Sequence, residues 1–197
     1  MVPCPMAVPA RRRVTYAEYL ALEALSPTKN EYFQGEILAM AGGTTPHADL
    51  AINMVGLFLT GLQGKPCRPS NSDQRLRVPA TGLATYPDVA VYCAPRTPHP
   101  EDPDALTNPT LLVEVLWKGT EAYDRGQKFE HYRQLSTLRH YVLVSSERVA
   151  VEVFTPNDDG SWNLRAFSAG DTFRLDALGL VLAVDEVYAG VDLSPPT

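Results

Sequence analysis

The sequence predicts an α/β domain built on a mixed β-sheet that is flanked by helices and carries additional β-hairpins. Three observations support this prediction. Short runs rich in β-branched and aromatic residues, such as Tyr86–Cys93 and Thr110–Trp117, are typical of strands. Longer segments with apolar residues at helical spacing alternate with these runs. One such segment, after Trp117, joins two strand-like runs as in a βαβ unit.

The N-terminal part predicts a helix followed by a hairpin. Thr15 and Glu18 in "TYAEYLALEAL" have the spacing of a capping box, which predicts a helix over about 16–25. The run "NEYFQGEILAM" predicts two short strands that turn near Gly35.

A longer helix is predicted over "TTPHADLAINMVGLFLTGLQG". Thr45 is expected as its N-cap, because Pro46 then takes the first helical position, where a missing N–H costs nothing. Apolar residues repeat at helical spacing along it, and Gly64 is expected to end it.

Three strands are predicted next, at Gln74–Val78, Tyr86–Cys93 and Thr110–Trp117. The first two are joined by a short turn, "PATGLAT", and the last two by the acidic loop "APRTPHPEDPDALTN", residues 94–108. Parallel neighbours need a crossover of about a dozen residues, usually a helix, and this loop shows no helical period. The last two strands are therefore predicted to be antiparallel.

The C-terminal part completes the predicted sheet. Thr120 is expected to cap the helix "EAYDRGQKFEHYRQL", and "HYVLVSS" to form a strand parallel to Thr110–Trp117. A hairpin is predicted around residues 157–160, and then one more strand and a short closing helix. The inner stripe of the capped helix is predicted to be Ala122, Phe129, Tyr132 and Leu135.

Length and composition are those of one globular domain. The chain has 197 residues, of which 45% are hydrophobic and 20% charged, and we expect a domain over 14–192 with flexible tails at 1–13 and 193–197. The net charge of −6 argues against a surface that coats nucleic acid, although a local basic channel stays possible. Arg11–Arg13 are either a solvated tail or a basic arm.

The cysteines and the apolar runs predict a cytoplasmic protein that does not enter a membrane. Cys4, Cys67 and Cys93 are an odd number without a C-x-x-C pair, so we expect buried or incidental thiols in a reducing compartment. No apolar run approaches the roughly 18 residues of a membrane helix. Neither a glycine-rich phosphate loop, nor a serine-hydrolase elbow, nor a dinucleotide-binding fingerprint is present.

Two acidic residues stand inside apolar strands. Because side chains alternate along a strand, Asp88 shares a face with Ala90, and Glu114 shares one with Leu112. If these strands pair in antiparallel fashion, the two acids can lie side by side, where they repel unless a cation separates them. Oxygen ligands of this kind suit Mg²⁺ or Mn²⁺ better than zinc. Glu114 can instead be a structural acid bound to an arginine or to backbone amides.

The following helix supplies a positive charge. Asp124, Lys128 and Tyr132 share a stripe at i, i+4 and i+8, and a crossover helix that packs on the sheet could bring Lys128 over the two acids. Phosphodiester hydrolysis uses such parts, namely a metal and a fixed cation for the developing negative charge. The other interpretation is an exposed helical ion pair between Asp124 and Lys128.

Four motifs in series resemble the Uma-two family of restriction-endonuclease-like proteins: "YPDVAVYC", "NPTLLVEVL", "TEAYDRGQKFEHYRQL" and "HYVLV". The resemblance covers about residues 15–190 and implies the PD-(D/E)xK nuclease superfamily, with its mixed sheet between helices. It implies that Pro87-Asp88 is the "PD" element and Glu114 the second acid. The superfamily lysine normally stands two residues after that acid, where this chain has Leu116, and its place is taken by Lys128.

One departure from the family offers a rival lysine. The family strand usually runs into a serine, whereas Trp117-Lys118-Gly119 follow here. Lys118 shares the strand face of Glu114 but stands about 13 Å along it, which favours Lys128. The resemblance also suggests supporting roles for Glu31, Glu36 and His47. Asp124 is a further candidate for such a role, because it shares the helix stripe of Lys128. His47 is otherwise an ordinary half-exposed residue or a phosphate contact.

These inferences predict a Mg²⁺- or Mn²⁺-dependent endonuclease that hydrolyses DNA. Asp88 and Glu114 would hold the metal, with the Val115 carbonyl as a third ligand and Lys128 as the catalytic lysine. Similar nucleases often work in pairs, so we expect a homodimer. Two alternatives stay open: a catalytically silent nuclease-like module that binds a partner, and a metal-dependent hydrolase of another phosphodiester.

Overall fold

The computed structural model describes residues 13–40, 42–93 and 95–194. Residues 1–12 and 195–197 of the two predicted tails lie outside the described part. The described chain is an α/β structure with two six-stranded mixed sheets, a two-stranded sheet and flanking helices, which confirms the predicted fold class. No helix of the described residues is both long and apolar enough to cross a membrane.

Most of the secondary structure consists of short strands. The strands in chain order are β1 (Asn30–Phe33), β2 (Glu36–Ala39), β3 (Arg68–Asn71), β4 (Arg75–Val78), β5 (Leu83–Thr85), β6 (Val89–Tyr92), β7 (Pro98–His99), β8 (Asp102–Leu106), β9 (Leu111–Leu116), β10 (His140–Ser145), β11 (Ala150–Pro156), β12 (Trp162–Ser168), β13 (Thr172–Leu175) and β14 (Leu180–Ala183). The helices are α1 (Tyr16–Glu23), α2 (Thr45–Gly61), α3 (Glu121–Tyr123), the π-helical segment Asp124–Lys128, α4 (Phe129–Tyr132), the 3₁₀ turn Asp176–Leu178 and α5 (Val184–Val187). We call the contiguous run α3, π segment and α4 the site helix.

Each large sheet contains one parallel pair among antiparallel neighbours. The first sheet has the order β2-β1-β5-β4-β8-β7 with β4 and β8 parallel, and the second has the order β12-β11-β10-β9-β6-β3 with β9 and β10 parallel. The predicted antiparallel pairing of β6 with β9 and the parallel pairing of β9 with β10 are both confirmed. The predicted hairpin of β11 and β12 is also present.

Local signals account for the elements near the N-terminus. The Thr15 side chain caps α1, and Glu18 completes the capping box from the third helical position. β1 and β2 are joined by Gln34 and Gly35, with φ of 49° and 88°, the positive angles that a two-residue hairpin turn requires. The predicted N-cap of α2 is wrong by one residue, because the Thr44 side chain accepts the capping hydrogen bond.

The region between residues 83 and 108 differs from the prediction in two ways. The predicted strand Tyr86–Cys93 is shortened to β6, which begins at Val89 in the second sheet, and the segment predicted as the turn "PATGLAT" contains the strand β5 of the first sheet. Pro87, which has no N–H for a ladder, lies at the crossing between the sheets. The predicted loop 94–108 contains the hairpin β7–β8, in which Pro98 lies on the edge strand β7, where a proline is tolerated. The C-terminal part likewise holds two strands, β13 and β14, where one was predicted.

The second sheet is buried on both faces. Val89, Val113 and Val142 pack on one face against the apolar side of α2 and against α5. Leu112 and Tyr132 belong to the opposite cluster, which fills the space between the two large sheets and the site helix. This division confirms the alternation predicted for β6 and β9, and it places Glu114 on the inner face between the sheets.

The prediction of free thiols is wrong for two of the three cysteines. Cys67 precedes β3 and Cys93 follows β6, and the register Arg68↔Tyr92 brings the next two residues opposite one another, where they form a disulfide. Cys67 and Cys93 are 26 residues apart, and only the pairing of β3 with β6 brings them together, so no local sequence pattern predicts this disulfide. Cys4 lies outside the described residues.

Candidate active site

Asp88 and Glu114 meet where β6 begins. The register pairs Val89 with Val113 and Ala90 with Leu112, so one further step places Asp88 opposite Glu114. Asp88 Oδ2 accepts a hydrogen bond of 2.8 Å from the backbone N–H of Val115. Asp88, Glu114 and Val115 all line one cavity of about 340 Å³.

Pro87 leaves the edge of β9 incomplete at this point. Extending the same register by another step places Pro87 opposite Val115. In an antiparallel strand the N–H and C=O of one residue point to the same side, so the Val115 carbonyl faces a proline that has no N–H to donate. The "PD" pair therefore caps the Val115 N–H with a carboxylate and leaves its carbonyl without a ladder donor.

The Lys128 ammonium lies among three carboxylates. Its Nζ is 3.1 Å from Glu114 Oε1, 3.4 Å from Asp124 Oδ1 and 3.4 Å from Glu31 Oε1. Lys128 is 4% exposed, and Asp124 is 3% exposed. The interpretation of Asp124 and Lys128 as an exposed ion pair is therefore wrong.

The site helix presents its polar residues inward because it contains a π-helical segment. In a regular α-helix, residues at i, i+4 and i+8 drift about 80° around the axis. The wider π turn over Asp124–Lys128 takes up an extra residue and offsets part of this drift. Asp124, Lys128 and Tyr132 are all buried as a result.

The predicted inner stripe of this helix is therefore only partly correct. Tyr132 and Leu135 are buried and Phe129 is half-buried, but Ala122 is exposed. The Thr120 side chain makes no capping hydrogen bond to the backbone. A hydrophobic period identifies the apolar members of the stripe, but it cannot reveal two buried charged residues on the same side.

The charges in the cavity shift one another's ionisation. Burial raises the pKa of Glu114 well above its ordinary value, Asp88 and Asp124 raise it further, and Lys128 opposes them. Burial alone lowers the pKa of Lys128, but the carboxylates, Glu114 first among them, raise it well above the ordinary value. The lysine is therefore held in its charged form by the acids that surround it.

Hydrogen bonds from three hydroxyl groups orient the two acids next to the lysine. Tyr132 OH donates to Glu114 Oε1 at 2.7 Å. Tyr123 OH donates to Glu31 Oε2 at 3.1 Å, and the Thr85 hydroxyl donates to Glu31 Oε1. Tyr132 is predicted as a member of the apolar inner stripe, and neither Tyr123 nor Thr85 is among the predicted site residues. The only signal for Tyr132 was its position four residues after Lys128, and Thr85 gave none.

His47 contacts the acid at the edge of the cavity. The first turn of α2 places His47 Nε2 3.3 Å from Asp88 Oδ2. Burial lowers the pKa of His47, but the hydrogen bond to Asp88 and the charge of that acid outweigh burial and raise it. His47 is therefore a partner of Asp88 as well as a half-buried residue at a helix N-terminus.

The structure does not bring two of the predicted residues into the cavity. Glu36 lies exposed on β2, and Lys118 lies exposed after the end of β9. Neither belongs to the residues that line the cavity, whereas Lys128, Glu31, His47 and Asp124 all do.

The oxygen atoms at this site fit a hard divalent cation. No group of three His, Cys, Asp or Glu side chains among the described residues has the arrangement of a metal site. Glu114 Oε1 and Asp88 Oδ2 are engaged, but Glu114 Oε2 and Asp88 Oδ1 accept no hydrogen bond from the described part of the chain. These two oxygens and the Val115 carbonyl are the donors that Mg²⁺ or Mn²⁺ prefers, with waters completing the shell.

Comparisons with known proteins agree with this fold. The family model Uma2, described as "Putative restriction endonuclease", matches residues 16–185. An uncharacterized protein of Synechocystis sp. is 41% identical over 174 residues, which cover 88% of this chain and 90% of that protein. A second uncharacterized Synechocystis protein is 32% identical over 159 residues, or 81% of this chain and 90% of its own length.

A solved structure has the same fold at low sequence identity. It is described as a "putative nuclease belonging to DUF820" from Anabaena variabilis, with a TM-score of 0.72 and 17% identity. The match covers 89% of this chain and 98% of that one. The family model spans both large sheets and the site helix, so the chain belongs to the Uma2 family of restriction-endonuclease-like proteins.

Proposed function

We propose that this protein is a Mg²⁺- or Mn²⁺-dependent endonuclease that hydrolyses phosphodiester bonds of DNA. One observation carries the proposal: the buried Lys128 ammonium lies 3.1 Å from Glu114 in the cavity that Asp88 also lines. Two acids and a cation in one cavity are the parts that metal-assisted phosphoryl transfer requires. Membership of the Uma2 family supports the nuclease class.

Asp88, Glu114 and the Val115 carbonyl would hold the metal ion. When bound, the ion would polarise a phosphoryl oxygen and lower the pKa of a water ligand. Tyr132 keeps Glu114 oriented through its hydrogen bond, and the Val115 N–H does the same for Asp88. Both acids are therefore positioned before a ligand arrives, which reduces the cost of binding.

Lys128 would supply the fixed positive charge. Its three carboxylate neighbours favour the ammonium form, so Lys128 would orient the attacking water or stabilise negative charge that develops on the phosphate, rather than remove a proton. Glu31 and Asp124 would position this lysine. His47, beside Asp88 at the edge of the cavity, would contact a substrate phosphate.

Plasmid nicking by the purified protein tests this proposal. We expect cleavage that needs Mg²⁺ or Mn²⁺, stops with EDTA, and disappears in Asp88→Ala and Glu114→Ala. A contaminating nuclease would cut equally well in all three preparations, and that result would refute the assignment. If the protein cuts RNA or a bis-aryl phosphate but not DNA, the proposed metal-dependent phosphodiester hydrolysis stands and the proposed substrate is wrong.

A silent binding module is the second candidate. It is favoured by the ion cluster itself, because Lys128 already neutralises Glu114 in the described structure. Calorimetry distinguishes the two candidates, since a silent module would bind neither Mg²⁺ nor Mn²⁺ at millimolar concentration.

The homodimer and the cytoplasmic location stay predictions. Sedimentation would test the first, and the redox state of Cys67 and Cys93 in cells bears on the second.

A further inference from the structure

A second cavity, distant from the acids, is surrounded by positive charge. It has a volume of about 420 Å³ and lies where the C-terminal part of α2 meets the start of β3 and the end of β6. We call Lys65, Arg68 and Arg96, which line it, the basic cluster. No acidic residue is among the described residues that line this cavity. Such a pocket is unexpected in a chain whose net charge is −6.

Among the described residues, no carboxylate forms an ion pair with the basic cluster. Lys65 Nζ donates to the carbonyl oxygens of Leu178 and Gly179, at 2.7 and 3.0 Å. Arg96 donates to the Ser70 hydroxyl at 2.9 Å. Within the described part of the chain, neither arginine forms an ion pair. Neutral partners thus fix two of the side chains and leave their charge available.

Tyr92, which lines the same cavity, has a buried hydroxyl without a partner among the described residues. Tyr92 is 2% exposed, and its ring lies 5.5 Å from the Arg96 guanidinium. Leaving a buried donor without an acceptor is unfavourable, so a ligand rich in acceptor oxygens is favoured at this pocket.

A third cavity extends from the candidate active site along α2 towards this pocket, with which it shares no lining residue. It has a volume of about 610 Å³ and shares His47 and Asp88 with the active-site cavity. It continues along one face of α2 past Ile52, while Leu59 on the same face lines the basic pocket. β3 forms the opposite wall of both cavities. We call the groove that runs along α2 from His47 to residue 62, with β3 on its other side, the α2–β3 track; it spans about 22 Å along the helix.

We propose that the backbone of the nucleic-acid substrate follows the α2–β3 track and that the basic cluster binds a phosphate several nucleotides from the one that is cut. The inference rests on the proposed function for the identity of the ligand. Arginine forks suit phosphate oxygens, and the exposed Ile52 and Leu59 offer apolar contacts to sugars and bases between the two phosphate positions.

Fluorescence anisotropy with a labelled DNA duplex in EDTA tests this inference apart from cleavage. Arg68→Gln combined with Arg96→Gln removes two of the three cations around the one proposed phosphate position, so the slope of log K against log salt concentration should fall by up to about 0.9. Arg165→Gln combined with Arg174→Gln makes the same change in net charge on β12 and β13, at residues that line neither cavity, and should leave the slope unchanged. Arg68→Lys with Arg96→Lys keeps the charge and should retain most of the slope.

The outcomes separate the two proposals. Parental binding by the Arg68→Gln/Arg96→Gln variant, or equal loss in the Arg165/Arg174 control, overturns the inference and leaves the nuclease proposal standing. A lysine pair that binds like the glutamine pair contradicts the role of charge. If the unmutated protein binds DNA through the basic cluster but never cuts it, the inference stands and the nuclease proposal is refuted. A parent that neither binds nor cuts DNA overturns both.

Discussion

Asp88 Oδ2 accepts the backbone N–H of Val115 at 2.8 Å, so an acid at the start of one strand takes the place of a ladder partner on the next. Pro87, the residue before Asp88, has no N–H and so cannot donate a ladder hydrogen bond to β9. The Asp88 carboxylate thus has a structural role, as the acceptor for the Val115 N–H, and a proposed chemical role as a metal ligand. Variants can separate these two roles.

Asp88→Asn should retain the fold and lose cleavage. The amide oxygen can still accept the Val115 hydrogen bond, so the free energy of unfolding should change by less than about 1 kcal/mol. The charge for a divalent cation is lost, and nicking should fall to background. Urea denaturation and a plasmid assay check both halves, and Asp88→Ala should add about 1 kcal/mol of destabilisation. Undiminished cleavage by the Asn variant would exclude Asp88 as a metal ligand.

Lys128→Met should be severely destabilising. It leaves Glu114, Asp124 and Glu31 buried without their cation, and breaking a buried ion pair from one side typically costs about 3–5 kcal/mol. Lys118→Met, on the exposed loop, should shift stability by no more than about 0.5 kcal/mol and leave nicking unchanged. If Lys118→Met abolishes cleavage instead, the assignment of the catalytic lysine is wrong.

Tyr132→Phe isolates the hydrogen bond to Glu114. The ring still packs, but Glu114 Oε1 loses its 2.7 Å donor, at a cost of about 1–3 kcal/mol in stability. We also expect slower cleavage, because Glu114 is less well oriented. Tyr188→Phe is the matched control, since that buried tyrosine belongs to the core cluster on the opposite face of the second sheet, does not line the cavity, and donates to the Ser145 carbonyl at 2.7 Å. Equal kinetic effects of the two variants would argue against a positioning role.

Stability should fall as pH decreases from about 6.5 towards 4 because of His140. Burial lowers the pKa of His140 from 6.5 to about 4. Its Nε2 accepts the Ala177 N–H at 3.2 Å, so the ring is bound as the neutral form. Below pH 6.5 the unfolded chain binds a proton that the folded chain does not, which removes up to about 3 kcal/mol. Unfolding in urea at several pH values should show this slope, and His140→Gln should flatten it.

Reduction of the Cys67–Cys93 disulfide should lower stability by about 3.5 kcal/mol, the chain-entropy estimate for a loop of this length. Thermal melting with and without dithiothreitol measures the change, and Cys67→Ser with Cys93→Ser should reproduce the reduced protein. Thiol titration of the denatured, unreduced chain should find one free thiol, that of Cys4. Three free thiols would show that the bond does not form.

Local sequence patterns were sufficient wherever the determining interaction is local. Alternation along β6 and β9 assigned Asp88 and Glu114 to inward faces, because side chains in a strand must point to opposite sides in turn. The capping box of α1 follows from residues three apart. The pairing of β9 with β10 follows from the handed connection through the site helix.

Only the tertiary structure decided the features that depend on residues distant in the sequence. The disulfide exists because β3 pairs with β6, and the 94–108 hairpin exists because the first sheet offers an edge. Glu31 reaches Lys128 from β1, which no spacing in the sequence could indicate. The burial of Asp124 and Lys128 likewise depends on the π turn, which directs both side chains inward, where they form an ion pair. Sequence periods report which side a residue faces, but charge pairing across elements is decided only when the chain has folded.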